Sequence, residues 1–240
     1  MASPLPYASV LSTLDLSLTV QRVWARKNFK YIKQFVKDVT KQFAIGQENT
    51  QIGVIPFSHY YKVAIKLNQF TDYVTFANAV DSLDYEGAGS SLSGALKISQ
   101  LELFIPENGG RKEGIKIVEG GGLQTGRKAK RGVLQALVVI SDGGSSTGVD
   151  ALLNSAETLK NSGKRVFVVG LGRFEHLKNI KMMASEPVKK HVFLVKEGEE
   201  LSKLVYKLTQ GICKDIRPVM KKFTVMENGK VITSLTYTDT

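Results

Sequence analysis

The chain has 240 residues, 42% hydrophobic and 23% charged, which is enough apolar material for a fully buried core. No apolar run reaches the ~18 residues that a membrane-crossing helix needs, so no helical membrane span is expected. Cys213 is the single cysteine, which excludes an intrachain disulfide, and the net charge of +11 favours acidic partners over basic ones.

Residues 1–13 read as an N-terminal extension. Met1 to Leu14 has neither a charged start nor a long apolar core, so it does not read as a signal peptide. Residues 15–20 alternate, with Leu16, Leu18 and Val20 on one face, and predict a strand. Asn28 is the expected N-cap of an amphipathic helix over 28–43, in which Phe29, Ile32, Val36, Val39 and Phe43 recur at helical spacing. Gly46 is the stop signal.

Residues 51–58 predict a strand in which Pro56 removes one ladder donor. Residues 61–67, with Val63, Ile65 and Leu67 alternating, predict a second strand returning beside it as an antiparallel edge. A helix is expected over 71–83, a Gly/Ser loop over 86–93 and a helix over 94–104. Residues 133–140 are apolar on both faces, the pattern of a central strand in a parallel sheet. That strand ends in Ser141-Asp142-Gly143, where open α/β sheets place their ligand sites.

A helix over 148–162, closed by Gly163, comes next. Then come a buried strand over 165–172, a short helix over 176–184, a short strand over 191–195 and a closing helix over 199–212. The order β-α-β-β-α-α-β-α-β-α-β-α predicts an α/β fold: a doubly wound, mostly parallel sheet with one antiparallel edge strand and helices on both faces. Residues 107–132 are Gly-, Lys- and Arg-rich without a period, which is unusual inside a compact domain. Residues 214–240 contain Pro218 and Asn228-Gly229 and read as a linker plus part of a hairpin, or the start of a further domain.

Short motifs in a fixed order carry a resemblance. They are Asn28-Phe29, Gln51-Ile52-Gly53-Val54-Ile55-Pro56-Phe57-Ser58, Gly87-Ala88-Gly89-Ser90-Ser91-Leu92-Ser93-Gly94-Ala95-Leu96 and Leu137-Val138-Val139-Ile140-Ser141-Asp142-Gly143. Val166-Phe167-Val168-Val169-Gly170-Leu171-Gly172, Ala184-Ser185-Glu186-Pro187 and His191-Val192-Phe193 complete the set. With these, residues 14–213 resemble a von Willebrand factor type A domain of the collagen VI and matrilin kind. The resemblance implies a Rossmann-like sheet, no enzymatic activity, and a secreted protein that binds in the extracellular matrix. By its spacing, residues 113–131 read as an insertion or a gene-model artefact, and limited trypsin digestion is expected to cut there first.

The resemblance also implies a site for Mg²⁺ or Mn²⁺, made by an Asp-x-Ser-x-Ser loop after the first strand, a hydroxyl in the Gly-rich loop and an Asp after the central strand. A small hard cation wants near-octahedral oxygen ligands and leaves a position for a partner's carboxylate. In this chain Gln21 replaces the first carboxylate, and Val23 and Ala25 replace both hydroxyls. The loop is also about two residues short by family spacing. Ser90 and Asp142 remain as vestigial ligands, and Arg22 adds an opposing positive charge. No cofactor is expected, and any Mg²⁺ binding is expected to be weak. Asp15-x-Ser17-x-Thr19 also fits the ligand pattern, but it would need extra residues before the first helix. Ser17 and Thr19 read better as one face of the strand. Without the first loop, Asp142 reads equally well as a turn cap.

Other motifs lack their context. Gly121 to Lys128 has no Ser/Thr after the lysine, and neither a strand before it nor a helix after it, so it is not a phosphate loop. Gly87-Ala88-Gly89 does not open a helix after a strand in the dinucleotide-binding manner. His59, His176 and His191 are too dispersed for zinc. The expected role is therefore partner binding at the face around Trp24, Ser90, Ser91 and Asp142, with matrix proteins such as collagen as partners and no nucleic acid. The alternative is a polyanionic glycan held by Arg127-Lys128-Ala129-Lys130-Arg131 with Lys178, Lys181, Lys189 and Lys190. A third reading is an intracellular scaffold.

Overall fold

In the computed structural model, residues 14–21, 26–85, 89–111, 133–216, 219–227 and 230–238 are described. Five strands form one sheet: β1 (Leu14–Gln21), β2 (Thr50–Phe57), β3 (Leu134–Ser141), β4 (Arg165–Leu171) and β5 (Val192–Val195). Their order is β2-β1-β3-β4-β5, and every neighbouring pair is parallel. β3 and β4 are apolar on both sides because helices cover both sides of them.

One layer holds α1 (Arg26–Thr40), α2 (Tyr73–Asp81) and α7 (Val205–Ile216). Phe29, Ile32, Phe35, Val36 and Val39 of α1 pack there on Leu16, Leu18, Val138 and Phe167 of the sheet. The other layer holds α3 (Leu92–Ile98), α4 (Val149–Asn161) and α5 (Leu177–Met183), packed on Leu137, Val139, Val166 and Val168. A single turn, α6 (Val188–His191), leads into β5. Asp72 caps α2 by accepting from the Thr75 N–H at 2.9 Å.

Several expectations change. Asn28 does not cap α1 but lies inside it and is buried, because Gly198 offers no side chain and lets the Asn28 Oδ1 pack against it. Residues 61–67 form no full strand. They meet β2 at two antiparallel bridges only, Val54 with Ile65 and Phe57 with Tyr61. Val54 N–H donates toward Ile65 O, and Pro56, on that same side of β2, has no N–H to extend the ladder. The helix expected at 94–104 is α3 continued by a π-helical turn, Ser99–Leu103, where Ser99 Oγ donates to Ala95 O at 2.8 Å. The closing helix is longer than expected: a 3-10 segment, Gly198–Leu204, runs into α7. Gly163 comes after α4 at φ +85°, where a side chain would be strained.

The alternation in β1 has an unusual outcome. Its polar residues Asp15, Ser17 and Thr19 are as buried as its leucines. They face the α3 side, where Thr19 Oγ1 lies 3.4 Å from Ser99 Oγ. Cys213, the single cysteine of the chain, is buried on α7. The segment read as a linker and part-hairpin gives β6 (Val219–Glu227) and β7 (Lys230–Thr238), an antiparallel pair in a sheet of its own. Residues 1–13 and 113–131 lie outside the described residues.

Candidate functional site at the carboxyl ends of the strands

β3 delivers Ser141-Asp142-Gly143-Gly144 to the carboxyl end of the sheet as a tight turn. Ser141 Oγ accepts from the Gly143 N–H at 3.0 Å, and Asp142 Oδ1 accepts from the Gly144 N–H at 2.8 Å. Gly143 sits at φ +83°, and a Cβ there would come within 2.8 Å of Ile180 and 2.9 Å of the His176 carbonyl. Glycine is therefore required at this position.

Ser90 reaches the same turn from the Gly-rich loop. Its Oγ donates to Gly144 O at 2.6 Å, and its own carbonyl accepts from Ser146 N–H and Oγ at 2.8 and 2.9 Å. Ser93 and Thr147 hydroxyls add a contact at 2.5 Å. The two surviving metal-type residues, Ser90 and Asp142, are thus brought together on the backbone of Gly144.

Gln21 ends β1 at this same end of the sheet, in register with Phe57. Val23, Trp24 and Ala25 lie outside the described residues. Ser91 is buried at the start of α3, and its N–H donates to Ser58 O at 2.7 Å. The rejected pattern Asp15-x-Ser17-x-Thr19 runs along the buried interior of β1, so it forms no loop at this face.

Two features of this face were missed in the sequence. The first is an aromatic loop, Ser58-His59-Tyr60-Tyr61, of which the sequence reading took Tyr61 only as the start of the strand over 61–67. His59 and Tyr60 rings meet edge-on at 5.4 Å, and Tyr60 is 74% exposed. Gly89, at φ +69°, leaves room for His59, and the Tyr61 ring lies where a Gly94 side chain would be. The second is a cleft of about 360 Å³ beside Asp142, walled by Asn28, Arg173, Glu175, Lys196 and Glu197. Phe174, also in its wall, holds φ +60°, a conformation costly for a bulky residue and concentrated at ligand sites. The cleft joins segments far apart in sequence, which no local pattern announces; the aromatic residues are consecutive, but their seating against Gly89 and Gly94 arises only on folding.

Among the described residues, no group of three or more His, Cys, Asp or Glu stands in a metal-holding arrangement. The histidines are separate: His59 is in the aromatic loop, His176 lies beside Gly144 and His191 is buried at the opposite end of the sheet. The lysines Lys178, Lys181, Lys189 and Lys190 are all exposed or part-exposed, on α5 and α6.

A family model for the von Willebrand factor type A domain matches residues 14–119 and 121–207. The chain belongs to the von Willebrand factor type A domain family. Its relatives include the mouse collagen alpha-4(VI) chain, 27% identical over 93% of this chain and 8% of that protein. Chicken matrilin-1 is 26% identical over 85% of this chain and 37% of its own length. Newt collagen alpha-1(XII) is 24% identical over 90% of this chain and 21% of its own. The chain therefore spans well under half the length of these relatives.

Among solved structures, proximal thread matrix protein 1 from the mussel byssus superposes with a TM-score of 0.69 at 20% identity, over 90% of this chain and 50% of that one. This von Willebrand factor type A domain shares the fold of that protein. One structure of the mussel protein has a zinc-occupied MIDAS motif.

Proposed function

We propose that this von Willebrand factor type A domain is a non-enzymatic protein-binding module of an extracellular matrix protein, and that its carboxyl-end face meets the partner without a bridging metal. One observation carries the reading. Asp142 Oδ1 and Ser90 Oγ, the vestigial ligands, both bond to the backbone of Gly144. They serve as the structural tie between two loops. Gln21 brings an amide where the resemblance implies a carboxylate, and Val23 and Ala25 bring no oxygen. One carboxylate and one hydroxyl do not fit a tightly held hard cation. The mussel protein's zinc-occupied motif is the contrasting case.

The partner class comes from the relatives, which are collagens VI and XII and a matrilin. Without a cation, contact falls to side chains. Tyr60 and Tyr61 supply exposed aromatic anchors of the type that dominates interface energies, and the sequence offers Trp24 as a further candidate. Arg173 and Lys196 in the cleft wall supply cations for a partner's carboxylate. Binding of the domain to collagen-coated surfaces, in Mg²⁺ and in excess EDTA, tests this. The expected result is equal binding in both, weakened about tenfold or more by Tyr60→Ala. Binding that needs Mg²⁺, or that ignores Tyr60→Ala, would overturn it.

The second reading is a polyanion-binding module, favoured by the four lysines at the surface of α5 and α6. Polyanion binding weakens steeply with salt through counterion release, whereas an aromatic contact does not. A heparin column run at rising ionic strength separates the two. Retention lost on replacing Lys178, Lys181, Lys189 and Lys190 would favour the glycan reading.

A further inference from the structure

Four helices end at the amino side of β4 and β5, the pole opposite Ser90 and Asp142, and each carries lysine in its last turn. They bring Lys160 on α4, Lys181 on α5, Lys189 and Lys190 on α6, and Lys214 on α7. α4 leads to Arg165, the first residue of β4, and α6 runs directly into β5. Ser185, just past α5, is held to the same strand start: its N–H donates to Val166 O and its Oγ accepts from the Val166 N–H, both at 2.9 Å. Asp215 brings the end of α7 there, 3.5 Å from Arg165 Nε and 2.7 Å from His191 Nε2. The Lys190 carbonyl lies beside Gly211 of α7. The topology thus gathers lysines from separate segments around Arg165.

This charge is not used up locally. A cation in a last turn offsets the partial negative charge of a helix end, about half an elementary charge. Lys160 does so by donating to Met182 O of α5 at 2.9 Å. The carboxylates beside the lysines in sequence are engaged: Glu186 accepts from the Val188 N–H at 3.0 Å, and Asp215 faces His191 and Arg165. Glu157 is a turn away on α4. Lys181, Lys189, Lys190 and Lys214 are exposed, and among the described residues they make no hydrogen bond or ion pair. Among the described residues, none of the exposed large hydrophobics lies in these last turns. Single-stranded nucleic acid calls for aromatic side chains on which bases stack, and a membrane-surface helix for an apolar face. The patch offers charge alone, which suits a chain of sulfates and carboxylates.

Resting on the polyanion reading, we propose that this pole is the docking surface for a sulfated glycan, held by Lys181, Lys189, Lys190 and Lys214 with Arg165. A glycan bound there lies at the far end of the sheet from Ser90 and Asp142, so glycan and protein partner do not compete for one face.

Heparin affinity of the full chain at several salt concentrations tests this. The pole variant combines Lys181→Ser, Lys189→Ser, Lys190→Ser and Lys214→Ser. A charge-matched variant combines Arg127→Ser, Lys128→Ser, Lys130→Ser and Arg131→Ser. The wild type should bind at about 0.15 M salt. The pole variant should bind about tenfold or more weakly, and its slope of log affinity against log salt should be shallower by about 3. The charge-matched variant should lose clearly less. A pole variant that binds like the wild type, or a charge-matched variant that loses as much, would overturn the site and leave the polyanion reading standing. A wild type that does not bind heparin would overturn both. Equal affinity for double-stranded DNA at matched salt would overturn the assignment to a glycan. If the pole variant fails to fold, amide chemical shifts of the wild type with a heparin hexasaccharide decide. Changes in the last turns of α5, α6 and α7 would support the site, and changes confined to other residues would overturn it.

Discussion

Arg111 holds Asp15 at the amino end of the sheet. Its Nε donates to Asp15 Oδ1 at 2.7 Å and its backbone N–H to Oδ2 at 2.8 Å. Its guanidinium also reaches the Leu14 and Gln47 carbonyls, and Gln135 Nε2 donates to the Arg111 carbonyl at 2.9 Å. Arg111 is the last described residue before 112–132, and Val133 is the first after it, at the start of β3. Arg111 and Val133 therefore lie at the amino ends of the strands, away from Ser90 and Asp142.

The Asp15 carboxyl is held above its ordinary value, first by burial, with the Arg111 donors and charge and the Gln135 donor pulling it back. A carboxyl raised in the folded state keeps its proton to higher pH there than in the unfolded chain. Its contribution favours the fold in acid and falls as pH rises from the unfolded value through the folded one. Urea unfolding of wild type and Asp15→Asn across the acidic range should show the wild type's relative stability falling with pH. A rise would mean that the Arg111 ion pair dominates instead. Arg111→Ala, which leaves the carboxylate buried without its partner, should cost about 3–5 kcal/mol.

Ser17 predicts the reverse sign. Among the described residues its Oγ, buried in the polar face of β1, has no hydrogen-bond partner. Removing an unsatisfied hydroxyl relieves its desolvation cost. Ser17→Ala should be neutral or stabilise by up to about 1 kcal/mol in the same assay. A loss above that would show that the hydroxyl has a partner, such as a buried water.

Two adjacent glycines should behave differently. Gly143→Ala combines φ +83° with close approach to the His176 carbonyl and Ile180, and should cost about 1–3 kcal/mol. Gly144→Ala has no positive φ, and a Cβ there would meet only Asp142 and His176 side-chain atoms at 3.2 Å or more. Its cost should be clearly smaller in matched thermal melts. Equal losses would mean that the turn is not held by the Gly143 conformation.

The fold was legible where hydrophobic period and length agreed. β3, β4, α4 and the closing helix come from runs whose burial needs no distant information. β1 was legible as a strand but not as a central one, because Asp15, Ser17 and Thr19 look like a solvent face. Their burial depends on Arg111, Gln135 and Ser99, far away in sequence. The pairing of Ser90 with Asp142 was legible through the resemblance. The aromatic loop and the cleft were not, since His59 meets Gly89 and Asn28 meets Gly198 only after folding.

The central claim is a partner-binding face that works without a metal. Calorimetric titration of the folded chain with Mg²⁺ into the millimolar range, beside Asp142→Ala, tests it most directly. No saturable heat in either protein is the predicted result. A saturable one-site isotherm in the wild type that disappears in Asp142→Ala would contradict the claim and restore cation-bridged adhesion.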